Sequence, residues 1–292
     1  MEDLLRAWLQ AELTRLTRGT FRALADVPLP HPRSLSRATL ATIVADPSEW
    51  TVAEKSDGVR AVLVRCVMMR VEYTVAVDRR FAVTVLSRAP SACEPGVATA
   101  LDTERVGGGF VAHDVLVCAG AAVHGRAHAV RQQILRTCVA EFGAVRVKSF
   151  VALERIGEVA SATNADGLIF AKSDAHVTFG SEPEVLKWKQ THACTVDLLV
   201  ERRKCGAHLT RRASARTADG RTTLTDVGLD EVGVLPAIWE FGFRDGKWVP
   251  LRERGDKSAA NTDFVVEQTM LNIREEITLD ELVALFGAKI IV

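Results

Sequence analysis

The chain has 292 residues, 48% of them hydrophobic, and its 37 basic and 37 acidic side chains give a formal net charge of zero. That length suits one large or two modest domains, and that apolar content builds a packed core, which excludes global disorder. Zero net charge excludes a protein that coats long duplexes, whose affinity comes from neutralising phosphates, but leaves room for a local basic cleft.

Leu5, Trp8, Leu9, Leu13 and Leu16 mark one face of an opening amphipathic helix. Pro28, Pro30 and Pro32 then forbid helix and make an extended connector. From Trp50 to about Val85 the chain is rich in valine and broken by turn residues, which predicts strands of a sheet, and Phe110 to Val117 predicts another. Ala127 to Phe142 is helical in character, with Val130, Ile134, Leu135 and Val139 at suitable intervals. After Lys189 the pattern changes. Residues 195–250 hold short β-type runs joined by two Asp-Gly turns, Asp219-Gly220 and Asp245-Gly246, which predict hairpins and a small antiparallel barrel. Thr278 and Glu281 form a capping box ahead of Leu282, Val283, Leu285 and Phe286, so the chain closes on helix.

Among the 37 bases, 28 are Arg and only nine are Lys. Arg is effectively never deprotonated whereas a crowded or buried Lys is, so an amine nucleophile has few candidates here. The six cysteines (Cys66, Cys93, Cys118, Cys138, Cys194, Cys205) form no C-x-x-C pair and have no His at zinc-site spacing, which reads as free thiols in a reducing compartment. No apolar run approaches the ~20 residues of a membrane span. Met1-Glu2-Asp3 carries acids where a secretory signal carries bases. The expectation is a soluble intracellular protein without a membrane partner.

Lys55-Ser56-Asp57-Gly58-Val59-Arg60 follows a predicted strand and fixes four positions as K-x-D-G-x-R. A lysine that attacks an α-phosphate needs its lone pair, so neighbouring cations or desolvation must favour the neutral amine. Gly58 permits a tight turn beside a nucleotide, and Arg60 can donate to sugar or phosphate oxygens. Lys187 and Lys189 flank Trp188 two residues apart, so on a strand they share a face.

Further segments stand in order behind this motif. They are Pro32-Arg33-Ser34-Leu35-Ser36-Arg37 upstream, then Leu101-Asp102-Thr103-Glu104-Arg105-Val106, Phe110 to Val117, and Ala165-Asp166-Gly167-Leu168-Ile169-Phe170. Leu186-Lys187-Trp188-Lys189, Thr195-Val196-Asp197 and Leu251-Arg252-Glu253-Arg254-Gly255-Asp256-Lys257 with Asn261 complete the set. Together these segments, spanning residues 32–261, resemble the covalent nucleotidyltransferase superfamily, and the GTP:mRNA guanylyltransferases (mRNA capping enzymes) more closely than the DNA or RNA ligases. Thr103 stands where that family's pattern has glycine, and Ala260 where a proline often precedes the asparagine.

The resemblance implies an α+β fold: a nucleotidyltransferase domain of antiparallel sheets over residues 1–190, an OB-fold β-barrel over 191–262, and closing C-terminal helices over 263–292. It implies that Lys55 takes GMP from GTP as a covalent lysyl-N-GMP, releases pyrophosphate, and passes GMP to the 5′-diphosphate end of an RNA to form a GpppN cap. Glu104, Asp166 and Asp197 would then serve a divalent metal, Mg²⁺ or Mn²⁺, with Asp197 near the pyrophosphate. Lys187 and Lys189 would cradle the α-phosphate, and Lys148 would donate to guanine O6. Ile169 and His113 would cover the two faces of the purine. Arg252, Arg254, Asp256 and Lys257 would engage the β- and γ-phosphates as the second domain closes.

An ATP-dependent polynucleotide ligase is the alternative, and a catalytically silent GTP- or RNA-binding platform a more remote one. Asp166-Gly167, the Leu186–Lys189 run and the compact second domain favour capping. RNA triphosphatase and cap methyltransferase would come from other chains, and RNA polymerase is a possible recruiter. The expected location is nuclear in a cell, and cytoplasmic or virion-associated for a virus.

Overall fold

The computed structural model describes residues 2–17, 29–161, 167–177, 179, 181–205, 208–216, 221–223, 236–255, 257 and 259–287. The first elements are α1 (Glu2–Leu16), β1 (His31–Ser34), α2 (Arg37–Ala45), β2 (Trp50–Glu54), β3 (Val59–Met68), β4 (Val71–Val77) and β5 (Val83–Pro90). Then come β6 (Gly96–Val106), β7 (Gly109–Cys118), β8 (Ala121–Ala122), α3 (His128–Cys138), β9 (Val145–Val147), β10 (Val151–Ala152), α4 (Ile156–Ser161), β11 (Leu168–Lys172) and β12 (Ser181–Trp188). The rest are β13 (Thr195–Cys205), β14 (His208–Arg216), β15 (Arg221–Thr223), β16 (Ala237–Arg244), β17 (Lys247–Glu253), α5 (Asp263–Glu275) and α6 (Leu279–Phe286). The class is α+β with antiparallel sheets, as the sequence leads one to expect; β9 against β7 is a parallel pair.

The chain divides into two compact units, one of Met1–Arg33, Thr42–Trp188 and Val283–Val292, the other of Ser34–Ala41 and Lys189–Leu282. The first unit holds two sheets. The smaller runs β1-β12-β11-β2-β10, and the larger runs β5-β4-β3-β6-β7-β8 with β9 beside β7. Helix α1 forms as its leucines predict: Leu5, Leu9 and Leu13 are buried among Val62, Val64, Val75, Phe81 and Leu116 of the larger sheet. Each such leucine contributes about 1.5–3 kcal/mol by leaving water. Helix α3 covers the other face, where Leu135 and Cys138 meet Leu63, Leu101, Ala112 and Val115.

The second unit is one antiparallel sheet in the order β15-β14-β13-β16-β17. Val196, Leu198 and Val200 alternate inward along β13 to join Ala213, Ala215, Phe241 and Trp248, and α5 lays Val266, Met270 and Ile273 on them. Asp245 and Gly246 both have positive φ, 49° and 76°, which is the hairpin chemistry expected between β16 and β17. The other expected turn, Asp219-Gly220, and Pro28 of the connector lie outside the described residues. One expectation needs correcting: among the described residues these strands make an open sheet rather than a closed barrel. β15 pairs with β14 over Ser214–Arg216, and among the described residues no ladder joins β15 to β17.

Arg37 is bonded within this second unit. Its backbone N–H donates to the Glu275 carboxylate at 2.7 Å, and its guanidinium reaches the Glu275 carbonyl and the Glu281 carboxylate. Thr278 caps α6 by accepting from the Glu281 N–H at 3.1 Å, so the capping box forms on that side while the Glu281 carboxylate goes to Arg37.

Candidate active site

Lys55 leaves the end of β2, and its backbone N–H donates to the Gly167 carbonyl at 2.9 Å. Along this row of strands Ala53 lies opposite Ile169, and Ile169 opposite Lys187. Directly opposed residues project to one face and so do alternate residues, so Lys55, Ala53, Ile169 and Lys187 share a side. Val52, Phe170 and Leu186 fill the opposite face, all buried. The sheet therefore delivers the candidate nucleophile, an apolar platform and a second cation to one surface.

Gly58 is small for a steric reason the sequence does not display. A Cβ there would lie 2.4 Å from the Arg105 carbonyl oxygen and 2.8 Å from a Val106 methyl. The loop after Lys55 crosses β6 too closely for any side chain. What it meets is protein backbone, so a tight turn around a nucleotide is not needed to explain the glycine.

Arg60 points inward. Its Nε donates to Asp102 Oδ1 at 2.9 Å, Nη2 pairs with the other carboxylate oxygen, and Nη1 donates to the Pro30 carbonyl. The guanidinium expected on a sugar or phosphate is here committed to protein acceptors. Asp102 has no exposed surface, and His113 Nε2 stands 3.1 Å from its Oδ1. Burial pushes this carboxyl's pKa up, but Arg60 and His113 outweigh burial and hold it well below the usual carboxylate range.

The His113 ring expected to stack on a purine therefore bonds to Asp102. A register shift between Asp102 and Thr103 makes His113 the extra residue of a bulge in β7. Helix α3 braces that bulge, since Gln132 donates to the His113 carbonyl at 2.8 Å and buried Arg131 pairs twice with Asp114 at 2.9 Å.

Thr103 explains its own departure from the family pattern. It is fully buried, and its hydroxyl donates to the Ala61 carbonyl at 2.7 Å. The strand register sets Arg60 opposite Glu104, leaving the Glu104 carboxylate half-buried beside the loop.

Lys148 is a buried cation. Its backbone N–H donates to Ala112, and its Nζ donates to the Glu54 carbonyl at 3.0 Å and to Ser56 Oγ at 2.9 Å, on either side of Lys55. Burial lowers its pKa; Glu104 and Glu54 oppose that, and Lys55 adds to it. One residue that sequence reasoning passed over belongs to this neighbourhood. His31 on β1 follows Pro30, the acceptor of Arg60, and β1 lies beside β12, the strand of Lys187.

The remaining expected residues lie in the second unit or outside the described residues. Lys189 begins the second unit. Asp197 accepts from Arg254 Nη1 at 2.9 Å, with Lys257 Nζ 3.8 Å away, and exchanges two backbone-directed bonds with Asn261. Arg252 Nε donates to Glu240 at 2.6 Å. The expected phosphate-binding cluster is thus assembled around Asp197 and Glu240. Asp197, expected to serve a metal, faces cations. Asp166 and Asp256 lie outside the described residues.

Among the described residues no group of three or more His, Cys, Asp or Glu side chains has metal-site geometry. A hard cation such as Mg²⁺ takes one or two protein carboxylates and completes its shell with substrate phosphates and water. The half-buried Glu104 oxygen pair fits that role.

No family model matches the chain. It is similar to the ligase domain from M. tuberculosis LigD at 14% identity, over 78% of this chain and 94% of that one, with a TM-score of 0.38. The mycobacterial DNA ligase D complexed with ATP and MES gives 15% identity, the same 78% and 94% coverage, and a TM-score of 0.45. The ATP-dependent DNA ligase from bacteriophage T7, complexed with ATP, gives 13% identity over 67% of this chain and 80% of that one, with a TM-score of 0.41.

Proposed function

We propose that this chain is a covalent nucleotidyltransferase whose nucleophile is Lys55. The observation that carries the reading is the placement of Lys55 on one sheet face with Ile169 and Lys187, while the Lys148 ammonium bonds to both residues flanking it. The Lys55 Nζ lone pair forms a bond to the α-phosphorus of a nucleoside triphosphate, the bond to pyrophosphate breaks, and the amine proton leaves to solvent. A terminal phosphate of a polynucleotide then attacks the same phosphorus and frees the lysine. Catalysis is mainly positioning and charge stabilisation. Glu104, with Asp166, would hold a divalent ion, which when bound neutralises developing phosphoryl charge.

The finer reading is a guanylyltransferase that uses GTP and caps the 5′-diphosphate end of RNA. Lys148 supports it, since a buried donor beside the nucleophile suits guanine O6 and repels the adenine N6 donor. The second reading is an ATP-dependent polynucleotide ligase. Three of the solved structures to which this chain is similar are ligases, two of them complexed with ATP. In the capping reading, RNA triphosphatase and cap methyltransferase act on other chains.

Incubation with Mg²⁺ or Mn²⁺ and α-³²P-labelled GTP or ATP, followed by a denaturing gel, separates the readings. Label from GTP that is lost in Lys55→Ala supports capping. Label from ATP alone overturns it in favour of the ligase, and no label under any condition overturns covalent transfer.

A further inference from the structure

Glu240 lies outside every motif that the sequence singles out, yet it is the hub of the polar face of the second unit's sheet. Val196, Leu198 and Val200 of β13 and Phe241 of β16 turn to the core, so the alternate residues Thr195, Asp197 and Glu240 share the other face. Asp197 stands directly opposite Glu240, and Glu240 directly opposite Arg252 on β17. Two carboxylates opposed across neighbouring strands repel one another. The chain that follows β17 offsets this by laying cations over them. Arg254 Nη1 donates to Asp197 at 2.9 Å and lies 3.7 Å from Glu240, and Lys257 Nζ is 3.8 Å from Asp197.

Backbone bonds fix that chain. The Arg254 N–H donates to the Ile238 carbonyl at 2.7 Å, the Lys257 N–H to the Arg254 carbonyl at 3.0 Å, and the Asn261 N–H to the Asp197 carbonyl at 2.7 Å. Arg252 is set by a bulge. The register slips between Glu240 and Phe241, so Leu251 is the extra residue, and it covers Gly242, where a Cβ would meet Leu251 Cδ1 at 3.2 Å. The Glu240 carboxylate uses both oxygens: Oε2 accepts from Arg252 Nε at 2.6 Å and Oε1 from Thr195 Oγ1 at 2.9 Å. Exposure is layered, with the Asp197 and Glu240 side chains 10% and 14% exposed against 30% for Lys257 and 68% for Arg252. A solute that reaches this face meets cations first. A guanidinium held at Nε keeps its Nη fork for an acceptor such as phosphate.

We propose that Glu240 is the positioning residue of a phosphate site on this face: it pins Arg252 directly and, with Asp197, holds Arg254, so that both guanidinium groups receive a polyphosphate. This rests on the nucleotidyltransferase reading only for the source of the phosphates, a nucleoside triphosphate. Glu240 touches no ligand and acts through the arginines. The consequence has a definite sign. Removing a negative charge beside an anion site strengthens binding if charge is all that matters, and weakens it if the aim of the arginines matters more. Here aim wins. An unpinned, exposed arginine gives up its rotamer freedom when the anion arrives, whereas the Glu240 charge is already offset by two guanidinium groups.

The test uses the full chain and inorganic tripolyphosphate, which cannot label Lys55. Titration calorimetry gives the affinity for wild type, Glu240→Gln, Glu240→Asp, Arg252→Gln and the double variant Glu240→Gln/Arg252→Gln, with thermal melting on each. Glu240→Gln is expected to weaken binding about fivefold although it removes a negative charge, and Glu240→Asp, which keeps the charge but not the reach, to weaken it similarly. The double variant should lose less than the product of the single losses, by about threefold or more. Binding elsewhere on the chain carries no such dependence on Glu240. Unchanged or tighter binding by Glu240→Gln would make the carboxylate a counter-ion only and overturn the proposal, as would additive losses or failure of wild type to bind tripolyphosphate. Thr195→Val, which removes the hydroxyl bonded to Glu240 Oε1, is the second probe should the Glu240 variants fail to fold: weaker binding supports the proposal and equal binding overturns it. The Lys55 labelling assay runs on the same proteins. Label without a Glu240-dependent affinity sinks this inference alone. A Glu240-dependent affinity without label sinks the transfer reading and leaves the phosphate site standing.

Discussion

The guanidinium of Arg60 and the carboxylate of Asp102, 42 residues apart in sequence, form a buried two-bond pair under the loop that carries Lys55. Removing one partner of such a pair leaves an uncompensated charge, at a cost of about 3–5 kcal/mol. Asp102→Ala is expected to lower the unfolding free energy from denaturant titration by that amount, and a loss below about 1 kcal/mol would show that the pair is unimportant to folding. Because the carboxyl is held below its usual range, its stabilisation is present above its ordinary pKa near 3.8 and disappears as pH falls further.

His128 gives a second and separable pH effect. It is buried edge-on against Phe150, and burial first, with Arg131 and His113, pushes its pKa down to about 4 from 6.5, against Asp114. A histidine kept neutral stabilises the fold fully above its ordinary pKa, and that contribution is lost as pH falls from 6.5 towards 4. Melting curves should show a decline across this window, on the order of 3 kcal/mol at its end. His128→Phe should flatten it. An unchanged slope in that variant would assign the decline elsewhere.

Gly58→Ala tests the close crossing over β6. With the Arg105 carbonyl 2.4 Å from the new methyl, backbone must move rather than a flexible side chain. We expect destabilisation of about 1–3 kcal/mol and an adduct yield reduced at least tenfold, read on the same labelling gel. A stable, fully active variant would show that the loop has room to shift.

Lys55→Arg keeps the positive charge and removes the amine lone pair at neutral pH, so it should yield no covalent adduct while melting within about 1 kcal/mol of wild type. Adduct in that variant would exclude Lys55 as the nucleophile.

Lys148→Met keeps the length of the side chain and deletes its donor. If Lys148 reads the base, the preference for GTP over ATP in adduct formation should fall about tenfold or more, equivalent to the 1–3 kcal/mol of a good base contact. An unchanged ratio with lower yield for both nucleotides would make it a brace for the Glu54–Ser56 loop alone.

Several features were legible from local pattern because local chemistry sets them. The leucine stripe of α1 follows from helical periodicity, and the Asp245-Gly246 hairpin from the need for positive φ at both residues. Lys55 stood out as one of nine lysines, in a loop placed directly after a strand. Face-sharing between Lys187 and Ile169 was not legible, because it depends on strand register rather than on spacing. Lys172, an equally ordinary lysine by sequence, instead pairs with Glu49 and Asp174.

The sequence by itself determined which residue types were available for the chemistry and the local turns and caps, since these depend on neighbours within a few positions. Only the tertiary structure decided that Arg60 turns inward to Asp102, that Gly58 answers to the backbone of β6, and that Lys148 spans Lys55. Each of those contacts is between segments remote in sequence. The physical reason is that strand pairing and burial choose a side chain's partner after the chain has folded, and periodicity carries no record of that choice.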